Sequence, residues 1–326
     1  MRKIMVSLAL LVATIAAGYA DDYTIAILPK AMSSDYWKAV HAGAVKAQRE
    51  LESNGTHVGL IWKGPSKDGE RDAQIKEVED FVGQHVSGII LAPVDSKALV
   101  APVEDAADVD IPVIVIDSPL ETNAIVSLVA PNNYDCGKNA AVCLGELLDG
   151  KGKVLLLRTM ERYANTEARE LGFLECLKQR YPDIKVVSSD QRAGPTEESA
   201  YTASAKLMDR FGKDLQGVFT PNEASTAGMD RALKNAGLAE GKVKHVGFDS
   251  SDLLVNALRA GDIQGLVVQD PFQMGYLSVK TMVQHLTGKG SVQKKIDTSS
   301  QLVTSDNLDD PKCKNLIHPP VSLYLN

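Results

Sequence analysis

Six polar side chains stand where buried strands of this chain are expected to end: Lys30, Asp95, Asp117, Asn222, Asp249 and Gln269. Each closes an aliphatic run, as in Ile111-Pro-Val-Ile-Val-Ile before Asp117 or Ile263-Gln-Gly-Leu-Val-Val before Gln269. A carboxylate accepts hydrogen bonds from two hydroxyls, and a side-chain amide both donates and accepts. A buried ammonium needs an anionic partner or loses its charge. These residue types hold a small polar molecule; the competing role for Asp117, Asn222 and Asp249 is to cap the turn or helix that follows. The signatures of other chemistries are missing. The six histidines (41, 57, 85, 245, 285 and 318) show no i,i+4 pairing, so no metal is expected. No Gly-x-Ser-x-Gly turn occurs, and Gly150-Lys-Gly-Lys lacks the spacing of a phosphate loop. Neither a cofactor nor enzymatic turnover is expected.

Such residues need a scaffold that brings strand ends together. Continuous aliphatic runs separated by helix-length segments are the pattern of parallel strands covered on both faces. Strands are expected near 23–28, 57–61, 88–92, 112–116, 125–129, 153–157, 184–189, 216–219, 243–247, 263–268 and 299–303. Helices fill most of the gaps, the first opened by Ser34-Asp35 and closed by Asn54-Gly55. The segments 69–84 and 96–108 are also read as helical. In doubly wound sheets, ligands bind beyond the carboxyl ends of the strands, which is where the polar residues fall. Two α/β halves emerge, one over 21–131 and one from 132 onward, with no Pro/Ser-rich tether between them. The tail over 307–326, with Pro311, Pro319 and Pro320, is expected to be irregular.

The first 20 residues carry a basic start, an apolar run from Ile4 to Ala17 and small residues before Asp21. That is the pattern of a cleavable signal peptide, and about 14 apolar residues fall short of the roughly 20 that a spanning helix needs. Export to the periplasm is expected. Losing Arg2 and Lys3 with the leader takes the net charge from −7 to −9. An acidic chain without a basic run is a poor partner for nucleic acid. The 306 residues left suit two domains of ordinary size. Cys136 and Cys143, seven apart on one helix, are separated by about 10.5 Å of rise and cannot bridge. A Cys176–Cys313 bridge stays open, and buried free thiols are the main expectation.

Taken in order, several segments resemble the exported ligand-binding proteins of sugar-type ABC importers, the ribose-binding-protein family. They are Thr24-Ile-Ala-Ile-Leu-Pro-Lys, Asp35-Tyr-Trp, Gly88-Ile-Ile-Leu-Ala-Pro-Val-Asp-Ser, Ile111-Pro-Val-Ile-Val-Ile-Asp-Ser, Arg169-Glu-Leu-Gly-Phe, Pro221-Asn-Glu, Val246-Gly-Phe-Asp and Gly265-Leu-Val-Val-Gln-Asp-Pro. The resemblance covers nearly all of the chain after the leader. It implies a periplasmic binding protein of type I: two doubly wound, Rossmann-like α/β domains joined by a three-segment hinge. The expected first lobe is 21–131 plus 269–297, and the second is 132–268 plus 298–326. A monomer is expected that captures a monosaccharide or small polyol between the lobes and delivers it to an inner-membrane ABC permease. The alternative is a sensor that presents a sugar-like signal, such as autoinducer-2, to a receptor.

The resemblance also assigns roles. Tyr36 and Trp37 fall where the family stacks aromatic rings on a sugar. Asp117 with Ser118, Asn222, Asp249 and Gln269 fall at its hydroxyl-binding positions, and Arg169 at its cleft arginine. Lys30 departs from the pattern, which commonly has a small polar residue there. It is expected either to pair with Asp117 or to meet an anionic or carbonyl-bearing ligand. Ala92 stands where sugar binders often place Asn, and no second-lobe stacking aromatic is evident over 191–196. Trp62 is expected either to wall the cleft or to fix a turn.

Overall fold

The computed structural model describes residues 22–32 and 34–325. The expected signal peptide lies outside the described residues. The chain begins with β1 (Asp22–Leu28), α1 (Asp35–Ser53), β2 (His57–Trp62), α2 (Arg71–Gly83), β3 (Gly88–Leu91), α3 (Val100–Asp108), β4 (Val113–Ile116) and β5 (Ser127–Val129). It continues through α4 (Asn133–Leu147), β6 (Lys151–Leu156), α5 (Ala164–Arg180), β7 (Asp183–Ser188), α6 (Glu197–Phe211), β8 (Gly217–Phe219) and α7 (Glu223–Asn235). Then follow β9 (Lys244–Phe248), α8 (Asp252–Ala260), β10 (Gly265–Gln269), α9 (Pro271–Leu286), β11 (Lys295–Ile296), β12 (Ser300–Val303) and α10 (Pro311–Ile317).

These strands form two six-stranded sheets, ordered β11-β5-β4-β3-β1-β2 and β12-β10-β9-β8-β6-β7. Pairing is parallel throughout except for β12, which runs antiparallel to β10. The fold is the expected pair of doubly wound α/β domains. The chain passes between the sheets after β5, after β10 and between β11 and β12. In each sheet the winding reverses beside the first strand, between β1 and β3 and between β6 and β8. Those reversals open the crevices in which such sheets bind ligands.

The aliphatic runs are unbroken because each sheet is covered on both faces. Along β1, Ile25 and Ile27 join one apolar cluster with α1 and α9, while Ala26 and Leu28 join another with α2 and α3. In the second sheet, Leu156, Phe219 and Phe248 pack toward α4 and α5, and Leu155 and Val218 pack toward α6 and α7.

Several expectations are corrected. The second helix runs over Arg71–Gly83 and the third begins only at Val100. Asp95 Oδ1 accepts the N–H groups of Lys97 and Ala98, both at 2.9 Å, and this turn delays the third helix. The tail is ordered into α10 and a 3-10 turn at Val321–Leu323. Nor does the whole tail lie on the second lobe. Cys313 and Ile317 pack into a cluster with Leu266 and Val268, but the last residues return to α1 of the first lobe. There Arg49 donates to the carbonyls of Leu323 and Tyr324 at 2.9 and 3.3 Å. Trp62 stacks on His41 at 4.4 Å and takes no part in the cavity lining described below. All four cysteines are buried and unpaired.

Candidate functional site

The site begins with two aspartates at equivalent places. β4 and β9 occupy the same position in the order of their sheets, and each is followed by an Asp with left-handed backbone, Asp117 at φ +63° and Asp249 at φ +66°. Aspartate tolerates that conformation better than most residues. Each anchors its own N–H on the neighbouring strand, Asp117 on Val129 O and Asp249 on Val267 O. Both carboxylates line one cavity of about 390 Å³ between the lobes.

Eight of the nine expected contact residues line that cavity: Lys30, Tyr36, Trp37, Asp117, Arg169, Asn222, Asp249 and Gln269. Ser118 does not. Its hydroxyl is turned to Asn165, accepting the Asn165 N–H at 3.3 Å, because the left-handed turn at Asp117 points the next residue away. Asn222 is both a lining residue and a cap. Its Oδ1 accepts from Ser225 N and Oγ at the start of α7, which leaves its amide N–H groups for the cavity. Asp249 is not the cap of α8, a role taken by Ser251. Tyr36 and Trp37 meet edge to face at 5.0 Å, with Trp37 also embedded in the first-lobe core.

Lys30 pairs with Asp117 at 2.8 Å, both nearly fully buried. Asn165 Nδ2 donates to the same carboxylate at 2.9 Å, and the Tyr36 hydroxyl donates to its other oxygen at 3.1 Å. Burial alone would raise the Asp117 pKa, but Lys30 and then Arg169 outweigh it and hold the carboxyl below its ordinary value. Asp249 accepts from Gln269 Nε2 at 2.7 Å and from the Glu223 N–H at 3.1 Å. Burial dominates there and lifts its pKa, Arg169 and Gln269 offsetting only part. The Tyr36 phenol is raised well above its usual range, first by burial and then by Asp117 and Asp249, so it stays a donor.

Arg169 is fully buried and its guanidinium lies 3.8 Å over the Phe248 ring. Nε donates to Asn133 Oδ1 at 2.8 Å and Nη1 to Pro221 O at 2.9 Å. Nη2 stands 4.0 Å from Asp117 Oδ1 and, among the described residues, has no hydrogen-bond acceptor. Close approach of α4 and α5 sets this arginine in place. A side chain on Gly137 would strike Arg169 O, and one on Gly172 would strike Tyr134 O.

Further lining residues escaped the sequence reading as contacts, among them Asp68, Tyr163, Asn165 and Glu223. Glu223 directly follows Asn222, and that adjacency was the available signal. Its half-buried carboxylate takes no hydrogen bond or ion pair among the described residues. Burial, then the charges of Asp249, Asp35 and Glu197, push its pKa up to about 8, against Lys38. A carboxyl whose folded pKa is raised stabilises the fold while protonated. That contribution is present below about pH 4.5 and lost as the pH rises toward about 8. Glu223→Gln is therefore expected to melt higher than the wild type at about pH 9 and within error of it at about pH 5. Thermal melts at the two pH values check this, and equal melting temperatures at the higher one reject it.

Known proteins share this fold. The family model for the periplasmic binding protein domain matches residues 25–290. A carbohydrate transporter solute-binding protein from Agrobacterium radiobacter, solved in complex with D-arabinose, superposes with a TM-score of 0.84 at 33% identity, covering 91% of this chain and 99% of that one. An ABC transporter solute-binding protein from Agrobacterium vitis, solved with bound D-fucose, gives 0.84 at 30% identity, covering 90% and 100%. A D-ribose/D-allose-binding protein of Pseudomonas aeruginosa is 25% identical over 290 residues, 86% of this chain and 88% of the relative. The fold, the polar strand ends facing a single cleft and these matches together make the chain a member of the periplasmic binding protein family, of the ribose-binding-protein type.

Proposed function

We propose that the protein is the solute-binding component of an ABC importer, exported to the periplasm. It captures an uncharged monosaccharide or small polyol between its lobes and delivers it to a membrane permease. The observation that carries the reading is the composition of the cavity wall. Aromatic faces from Tyr36 and Trp37 stand beside hydrogen-bonding groups from both lobes, and a volume of about 390 Å³ suits one small ring. The solved Agrobacterium relatives bind neutral monosaccharides in the same fold. Charge supports a neutral ligand here. With Glu223 held protonated at neutral pH, the lining carboxylates Asp68, Asp117, Asp249 and Glu197 still outnumber the cations Lys30, Lys67 and Arg169, and Lys30 is already paired with Asp117. An anionic ligand would add to that excess. Ligand bridging the lobes stabilises the closed arrangement and so shifts the hinge equilibrium.

A thermal-shift panel tests capture: D-ribose, D-allose, D-arabinose, D-fucose and xylitol, against D-gluconate and D-ribose 5-phosphate. A ligand at a hundredfold excess over its Kd adds about 2.7 kcal/mol to native-state stability. At least one neutral compound is expected to raise the melting temperature and neither anion should. Shifts with the anions alone would overturn the reading. Delivery is tested by the ATPase rate of the reconstituted permease, which sugar-loaded protein should stimulate more than sugar-free protein.

A further inference from the structure

Tyr163 belongs to the second lobe by sequence and to the first by packing. It immediately precedes α5, yet it is 3% exposed and embedded in the first-lobe cluster that includes Val94, Leu99 and Leu120. Its hydroxyl donates to Asp68 Oδ1 at 2.5 Å, in the first-lobe connection before α2. The Lys30 ammonium stands 4.8 Å from its ring centroid, within cation–π range. The preceding residue adds to the seam. Arg162 O accepts the Ser96 N–H at 3.0 Å, and the Arg162 guanidinium meets Asp95, buried in the first lobe, at 3.4 Å. Asp95 is held from its own side by Arg71 at 3.0 Å. Gly69 closes the seam against Met160 and Pro195.

Apart from the Arg71–Asp95 pair, these contacts join protein to protein across the lobes, and none uses the three crossing segments. Opening the cleft must withdraw Tyr163 from an apolar socket, strip Asp68 of its phenol donor and part Arg162 from Asp95. A buried phenol–carboxylate hydrogen bond and a desolvated aromatic ring are among the stronger contacts of this size.

We propose that Tyr163 is a built-in latch: a positioning residue that biases the two lobes toward closure independently of the cleft's contents and bounds the ligand space on its side. The consequence is an affinity that depends on a residue outside the hydroxyl-binding set. When the closed, binding-competent arrangement is only a fraction of the population, apparent affinity falls by that fraction. A latch that raises the fraction tightens binding without a new ligand contact.

The test compares the mature wild type with Tyr163→Ala, Tyr163→Phe and Asp68→Asn by small-angle scattering without sugar, after circular dichroism confirms folding. Tyr163→Ala is expected to show a larger radius of gyration than the wild type. Tyr163→Phe and Asp68→Asn keep the ring and lose the charged hydrogen bond, so their shift is in the same direction and smaller. Identical radii for all folded proteins would overturn the latch. Should Tyr163→Ala fail to fold, the Phe and Asn variants decide alone. The second arm rests on the capture reading and titrates D-ribose, D-allose and D-arabinose. Whichever sugar binds the wild type should bind Tyr163→Ala roughly tenfold more weakly and restore the compact radius. An unchanged Kd counts against the latch. If none of the three binds, capture of these sugars fails while the sugar-free comparison still decides the latch.

Discussion

Replacing Arg169 by alanine is expected to abolish detectable sugar binding and to destabilise the protein by about 3–5 kcal/mol, the usual consequence of breaking a buried charged network. The guanidinium is fully buried, and three of its interactions are structural: Asn133, Pro221 O and the face of Phe248. Only Nη2 is left without an acceptor, and it lies beside Asp117 at the cavity wall. One residue therefore both ties α4, α5 and the β8–α7 connection together and leaves one donor unused at the cavity wall. The loss is not confined to those contacts. Asp117 and Asp249 would face each other across the cleft with Lys30 as their nearest cation, and Asp249, its pKa already raised by burial, would lose the charge that opposes this. Arg169→Lys keeps a charge and loses the fork that reaches two acceptors at once, so it should retain part of the stability and little of the affinity. Chemical denaturation and isothermal titration separate the two effects. Near-wild-type binding by Arg169→Ala would remove the arginine from the site.

The site was legible in the sequence wherever a residue's position along a strand also fixed its position in space. Unbroken aliphatic runs announced covered strands, and the polar residue ending each run lines the crevice except Asp95, which turns to the Lys97 and Ala98 N–H groups and to Arg71 and Arg162. Lys30, Asp117, Asp249 and Gln269 were found in this way. Asp68 and Tyr163 were not, because their meaning lies in a contact 95 residues apart across two lobes, which no local period records. Ser118 shows the opposite error. It adjoins a true lining residue, and only the left-handed backbone at Asp117 sends it elsewhere. The tail misled for want of length. A seven-residue helix gives hydrophobic periodicity too little room, although Asp310-Pro311 is an ordinary helix opening. Its return to α1 depends on Arg49 reaching two backbone carbonyls, and a carbonyl leaves no trace in a sequence.

Asp117→Asn is the second large effect, and its value is that it divides stability from binding. Asparagine keeps the shape and tolerates the left-handed backbone, so the change removes charge and little else. Lys30 then stays buried with Asn165 Oδ1 at 3.4 Å, the Tyr163 ring and the more distant charge of Asp68 as its remaining neighbours. A buried charge stripped of its partner costs about 3–5 kcal/mol. The sign with pH follows from the depressed pKa of Asp117. A carboxyl held below its unfolded value of about 3.9 stabilises the fold above that value and ceases to as the pH falls through its folded pKa. The gap between wild type and Asp117→Asn should thus be full at neutral pH and shrink below about pH 4. Adding Lys30→Met to Asp117→Asn removes the orphaned ammonium. The double variant should be more stable than Asp117→Asn alone, a non-additivity expected of residues in direct contact. It should still bind sugar poorly, because the carboxylate proposed to accept ligand hydroxyls is gone. Additive losses in the double variant would mean that Lys30 and Asp117 do not depend on each other, and the ion pair at the centre of the cleft would lose its assigned weight. Recovered stability without recovered binding is the expected outcome, with Lys30 serving the fold through Asp117 and Asp117 serving both.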